Sequence, residues 1–352
     1  MNILADSALP GLKEAFPSPF KLTLYHNQEE VGKLLAKQDI LLCRSTLKVT
    51  KELLANSSLR YVATASSGTD HIDEIYLREK KIALLDAKGS NASAVADYVL
   101  ATIAYLQKHT HFNGQKAGII GLGAVGNLVA KRLQALNFTI IPYDPLKACI
   151  DKHFKSASLQ ELLQCDLLCI HANLHTNPPY PSLNLFSDAI LSQLTPNTAI
   201  INASRGGIVD EAALLEQASS FFYCTDVFLG EPNINPDIVK LAYLCTPHIA
   251  GHSIEAKYKA VTLVSQKLHK VLNLKQPNYA ISLPIPSFNF KQAENWQDYI
   301  LSLYNPMHET KLLKAAINKK DCFLNLRKAH QKRHDFSVYE SQLPDFPRPL
   351  LS

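Results

Sequence analysis

The sequence predicts an α/β protein built on doubly wound parallel sheets, and three observations carry that prediction. Short apolar runs of strand length recur along most of the chain, each ending in a polar loop or a polar stretch of helical spacing. A glycine turn, Gly121-Leu122-Gly123-Ala124-Val125-Gly126, joins one apolar run to a helical pattern. An acid, Asp144, closes the next apolar run about 20 residues beyond that turn.

The totals suit such a protein. A chain of 352 residues predicts two or three domains, each with its own core. Hydrophobic residues at 47% and charged residues at 19% describe an ordinary soluble globular composition. The net charge of +5 lies partly in Lys319-Lys320, Arg327-Lys328 and Lys332-Arg333. A solvated helix face accounts for these pairs, and without an aromatic-basic platform no nucleic-acid partner is expected. The start, Met1 to Asp6, lacks a basic, then apolar leader, and no apolar run nears about 18 residues. A cytoplasmic protein with no membrane partner is expected. Seven scattered cysteines, several inside apolar runs, read as buried thiols. Cys165, Cys169 and His171 lack a fourth ligand, so no metal is expected.

Taken in order, Ile40–Cys43, 61–65 and 82–85 read as buried parallel strands. Each ends in a polar loop: Arg44-Ser45-Thr46, Ser66 to Asp70, and Asp86 to Gly89. Ligands of open α/β sheets gather at such strand ends. From Asn91 to about 107, Val95, Tyr98, Val99, Thr102, Ile103 and Leu106 share one helical stripe. The run entering Gly121 then opens a second sheet. Gly121 permits the tight turn, Gly123 admits a pyrophosphate to the backbone, and Gly126 lets helix and strand pack closely. The helix start favours the phosphate charge. Asp144 is placed to bind both ribose hydroxyls, and helix capping is its ordinary alternative. No arginine follows to receive a 2′-phosphate, so NAD is expected over NADP.

Further strands follow at Leu167–Ile170, Ala199–Asn202, 221–224 and 243–245. A helix from Ser253 to about 274 returns the chain to the first domain. The three prolines of 277–286 read as an extended linker. The remainder is helical, basic and too short for much of a core, a shortage that packing against another subunit would relieve.

Three strand ends carry candidate chemistry. Arg205 lies in Asn202-Ala203-Ser204-Arg205-Gly206-Gly207, Glu231 in Asp226 to Pro232, and His248 in Thr246-Pro247-His248-Ile249-Ala250-Gly251. Arginine is a charged fork that grips a carboxylate with two parallel bonds. Histidine suits proton transfer near neutral pH, and a glutamate can orient it and stabilise its charged form. Each alone has an ordinary explanation, as a surface arginine, a turn or a loop histidine. Their order behind a dinucleotide turn points to catalysis.

These stretches resemble the NAD-dependent D-isomer-specific 2-hydroxyacid dehydrogenases. The family pattern Asn-Ala-x-Arg-Gly-x-x-Val-Asp stands at Asn202 to Asp210, and the two following stretches match as well. The resemblance implies a flavodoxin-like substrate domain (1–92 and 253–283), a Rossmann NAD domain (93–252) and a small C-terminal dimerisation domain (284–352). It implies His248 as the base, Arg205 on the substrate carboxylate and Glu231 behind His248. For the cofactor it implies Gly121, Gly123, Ala124, Val125, Gly126, Asp144, Ala203, Ser204, Asp226 and Gly251. Arg44-Ser45-x-x-Lys48-Val49, the 63–73 stretch and the tail are similar to the branch that oxidises 4-phospho-D-erythronate at C2 in vitamin B6 biosynthesis. That likeness implies a homodimer, with Ser45 and Ser66 on the substrate; charge and position beside Ser45 make Arg44 a candidate for its phosphate. Four positions depart from the usual pattern: Ser66 replaces Thr, His252 replaces Tyr, Ala172 replaces Thr and Ala124 replaces Asn. The alternatives are a dehydrogenase of another D-2-hydroxy acid, of the phosphoglycerate or glycerate type, and a dinucleotide-sensing scaffold without turnover.

Overall fold

The computed structural model describes residues 1–217, 221–278, 284–288, 290, 293–343 and 348–351. The chain divides into two compact units, Met1–Asn91 with Ser253–Pro284, and Ala92–His252 with Ile285–Ser352.

The first unit holds five strands, β1 (Asn2–Asp6), β2 (Lys21–Tyr25), β3 (Ile40–Cys43), β4 (Tyr61–Thr64) and β5 (Ala83–Leu85). They form one parallel sheet in the order β2-β1-β3-β4-β5, the doubly wound order of flavodoxin. The period of two along each strand builds a core on each face. Ile3, Ala5, Ile40 and Leu42 pack with Val261, Val264 and Leu268 of the helix Ile254–Val271. Leu4, Leu41, Cys43 and Val62 face Val31, Leu35, Leu54 and Tyr76 on the other side. Ser253 caps the returning helix by accepting the Ala256 N–H at 2.9 Å. Two strands were not foreseen. β2 is an edge strand whose residues are mostly half-exposed, so it carries no apolar run to read.

The second unit holds β6 (Lys116–Ile120), β7 (Thr139–Tyr143), β8 (Leu167–Ile170), β9 (Ala199–Asn202), β10 (Phe222–Thr225) and β11 (Leu244–Cys245). These six also run parallel, in the order β11-β10-β9-β8-β6-β7. The chain leaves β6 towards β7 on one side and resumes at β8 on the other. The glycine turn therefore sits where the winding reverses, the usual ligand position of such sheets.

Residues 285–352 belong to this second unit rather than standing as a third body. Packing on its own chain relieves their shortage of core. Ile300, Tyr304, Phe336 and Leu351 join Tyr98, Val99 and Ile103 of the long helix Ala92–His109, while Leu313 and Phe323 join the opposite core. Buried charge reinforces the union: Arg132 Nη1 donates to Asp97 Oδ1 at 2.5 Å and Arg132 Nη2 to the Leu351 carbonyl at 3.1 Å. The edge strand β11 is covered too, since Thr310 Oγ1 accepts the Cys245 N–H and donates to its carbonyl. The linker read over 277–286 lies in part outside the described residues.

Candidate active site

The glycine turn has the geometry its residues predict. Gly121 has φ +89°, and a Cβ there would stand 2.6 Å from the Ala172 nitrogen. A Cβ on Gly126 would fall 2.0 Å from the Gly121 carbonyl oxygen, so only glycine lets the helix Ala124–Ala135 start so close to β6. A Cβ on Gly123 meets nothing within 4 Å. The space beside it is open at the start of a 12-residue helix, which suits a pyrophosphate. Ala124 and Val125 stand in that first turn.

Asp144 is the cap of the helix Pro145–Ile150, its Oδ1 accepting the Lys147 N–H at 2.9 Å. Its Oδ2 accepts the Leu122 N–H at 2.8 Å, tying the end of β7 to the glycine turn. The helix cap, the ordinary alternative for this acid, is present, and the second oxygen's bond fixes the carboxylate against the turn. A cavity of about 490 Å³ flanks it, lined by Tyr143, Pro145, Ala148, Cys149, Ser156 and Leu159 among others.

The ends of β8, β9 and β10 converge. Ser204 Oγ donates to the Ala172 carbonyl. Asn202 Oδ1 accepts the Ser204 N–H at 3.2 Å, and its Nδ2 donates to the Arg205 carbonyl at 3.0 Å. Asn202 thus shapes the turn that carries Ala203, Ser204 and Arg205. Arg205 Nη1 donates to the Ser204 carbonyl at 2.8 Å. A Cβ on Gly206 would lie 2.1 Å from the Phe228 carbonyl oxygen, so this turn touches the loop bearing Glu231 backbone to backbone.

Glu231 Oε1 accepts the Phe228 N–H at 2.8 Å, and Oε2 lies 2.7 Å from His248 Nδ1. Burial pushes the Glu231 carboxyl up, but the His248 imidazole and the Phe228 N–H outweigh it and hold the carboxyl below its ordinary range. An ionised carboxylate only accepts, so His248 Nδ1 donates to it and Nε2 of the neutral ring keeps a free lone pair. The imidazole is about one-third exposed, accessible to a ligand.

His248 has φ +56°, the left-handed region. Histidine is among the residues enriched there, yet such backbone holds its shape only where neighbours fix it. Asp226 does so. Its Oδ1 accepts the Ile249 N–H at 2.8 Å and the Thr246 hydroxyl at 2.6 Å, and its Oδ2 accepts the Ala250 N–H at 2.8 Å. The resemblance implies Asp226 for the cofactor; its carboxylate is buried and bonded to the loop leading to Gly251. Sequence reasoning missed this role, and the signal was present: an acid following the apolar run 221–224 needs buried partners.

In the first unit, Ser45 is exposed just beyond β3 and Ser66 half-buried beyond β4. Arg44 Nε pairs with Asp6 Oδ2 at 2.8 Å, which aims the guanidinium from the end of β1. His71 Nε2 lies 3.1 Å from Thr64 Oγ1, a structural contact. Cys165, Cys169 and His171 hold no metal-ligand group among the described residues. Burial pushes the His171 imidazole down to about 3, and neither ring nitrogen has a hydrogen-bond partner.

Residues 97–250 match the family model described as "D-isomer specific 2-hydroxyacid dehydrogenase, NAD binding domain". The chain is 54% identical over 339 residues, 96% of both chains, to the erythronate-4-phosphate dehydrogenase of Legionella pneumophila (strain Lens). It is 33% identical over 358 residues to that of Coxiella burnetii (strain RSA 331 / Henzerling II), covering 100% of this chain and 97% of the relative. Among solved structures, the NAD+-bound 3-phosphoglycerate dehydrogenase of Entamoeba histolytica aligns with a TM-score of 0.67 at 20% identity, over 80% of this chain and 99% of that one.

Proposed function

The chain belongs to the erythronate-4-phosphate dehydrogenases of the D-isomer-specific 2-hydroxyacid dehydrogenase family, and we infer from that premise how its residues carry the reaction. It is an NAD-dependent enzyme that oxidises 4-phospho-D-erythronate at C2 to the 2-oxo acid in vitamin B6 biosynthesis. The 2.7 Å contact between His248 Nδ1 and Glu231 carries the mechanistic reading, because it leaves Nε2 as the base. Bound NAD supplies the acceptor for the C2 hydride at its nicotinamide ring. His248 Nε2 takes the proton of the C2 hydroxyl as that hydride leaves, and Glu231 stabilises the imidazolium that forms. Arg205 grips the substrate carboxylate and the developing carbonyl oxygen.

The open face of Gly123, the first turn through Ala124, Val125 and Gly126, and Asp144 hold the dinucleotide in this reading. Ala203, Ser204, Asp226 and Gly251 line the strand ends below it, Asp226 acting through the loop it fixes. Ser45 and Ser66 contact substrate, with Arg44 as the candidate for its phosphate. The described residues contain no helix long and apolar enough to cross a membrane. We place the enzyme in the cytoplasm, where the seven free cysteines stay reduced. A homodimer is also our reading, supported by the exposure of Leu312 and Leu324 on the helices Met307–Ala315 and Lys319–Ala329 and of Ile317 in the bend between them.

The test is NAD reduction with 4-phospho-D-erythronate beside 3-phosphoglycerate and D-lactate, with a 2-oxo acid acceptor present to recycle cofactor. A kcat/KM highest for 4-phospho-D-erythronate is expected. Turnover only of the unphosphorylated acid would replace this substrate.

A further inference from the structure

Arg333 comes from the C-terminal segment, 83 residues beyond Ala250, yet its Nη2 donates to the Ala250 carbonyl in the His248 loop. The same nitrogen donates to the Ala94 carbonyl at 3.1 Å, at the start of the helix Ala92–His109. Its guanidinium carbon stands 4.9 Å from the centre of the Tyr304 ring. At 8% exposure this is a buried cation at the meeting of three elements. A buried charge is costly unless its surroundings answer it; here two carbonyls bond Nη2 and an aromatic face flanks the guanidinium, while Nε and Nη1 have no hydrogen-bond partner among the described residues.

The Ala250 peptide is consequently held from both sides. Asp226 takes its N–H at 2.8 Å, and Arg333 takes its carbonyl. The residue two positions earlier is His248, in left-handed backbone. Neighbouring bonds keep the segment around Arg333 in place: the Phe336 N–H donates to Asp97 Oδ2 at 2.8 Å, and His330 Nδ1 lies 3.2 Å from Glu309 Oε1.

We propose that Arg333 is a positioning residue of the active site, clamping the loop that aims His248 from a segment otherwise concerned with packing. The proposal rests on the reading of His248 as the base. It makes the C-terminal segment part of the catalytic construction. Lysine is not equivalent at this position, because an ammonium can bond two carbonyls but lacks the planar face that lies against the Tyr304 ring.

The experiment compares Arg333→Ala, Arg333→Lys and His248→Ala in the full chain, measuring kcat and KM for 4-phospho-D-erythronate, NADH affinity by fluorescence, and melting temperature. A loss of kcat of about 10²-fold is expected for Arg333→Ala, as a small misplacement of a catalytic group produces. KM and NADH affinity stay near the parent values. Arg333→Lys falls between, and guanidinium ion, well below denaturing concentration, restores part of the Arg333→Ala turnover. A folded variant with parental kcat overturns the proposal, as does loss of turnover in step with loss of NADH binding. Failure of both Arg333 variants to fold overturns it in favour of a packing role. Should His248→Ala keep its turnover, the base assignment fails first and this inference with it.

Discussion

Gly206 meets the carbonyl of Phe228 so closely that a Cβ at position 206 would sit 2.1 Å from its oxygen. The turn of Arg205 and the loop of Glu231 are thereby set by backbone contact, before any side chain contributes. Gly206→Ala must push the two apart. Its kcat is expected to fall by about 10²-fold while NADH affinity holds, since the glycine turn at 121–126 is untouched. Steady-state kinetics with a fluorescence titration of NADH checks this, and unchanged kcat counts against the shared geometry.

Glu231 is held ionised below its ordinary range chiefly because the pull of His248 and the Phe228 N–H outweighs burial. Glu231→Gln removes the carboxylate that accepts from His248 Nδ1 and stabilises the imidazolium formed in turnover. A loss of kcat of about 10²-fold is expected, with NADH affinity held, and steady-state kinetics with a fluorescence titration checks it. The carboxyl also contributes to stability with a definite sign. Its folded value is lowered, so that contribution is full above the unfolded value and lost as pH falls through the folded one.

His171 gives a second pH dependence. Burial keeps its imidazole neutral down to about 3, whereas the unfolded chain binds a proton near the ordinary value of about 6.5. In between, the unfolded state holds more protons, so acidification through that window destabilises the fold. Melting temperatures between pH 7 and pH 5 are expected to drop less for His171→Gln than for the parent (differences of order a few °C). Parallel curves would remove His171 from the effect.

Asp144 is expected to discriminate between nicotinamide cofactors. Asp144→Asn keeps an oxygen for the Leu122 N–H but removes the charge that would repel a 2′-phosphate. The preference for NAD over NADP in kcat/KM is expected to shrink about tenfold or more. Reduction rates with both cofactors measure it.

The legible parts of this fold were those whose physics is local. Buried strands such as Ile40–Cys43, Leu167–Ile170 and Ala199–Asn202 appear in the sequence as continuous apolar runs because both faces of a parallel sheet are covered. Gly121 and Gly126 were legible because their absence of Cβ answers a specific crowding. Strand β2 was not, being a half-exposed edge. The use of charge across the sequence was also hidden. Asp97 lies on the long helix beside its apolar stripe, and nothing local identifies its partner Arg132, 35 residues on, or the tail beyond it. The bonds of Asp226 were hidden for the same reason: its partners Ile249 and Ala250 are distant in sequence, and only the folded loop brings their N–H groups to it.

The account turns on His248 as the group that removes the hydroxyl proton. The most direct measurement is turnover of 4-phospho-D-erythronate by His248→Ala, made alongside NADH binding and melting temperature. A loss of about 10²- to 10⁴-fold in kcat is expected, with cofactor affinity and fold intact. Parental turnover in that variant would contradict the central claim.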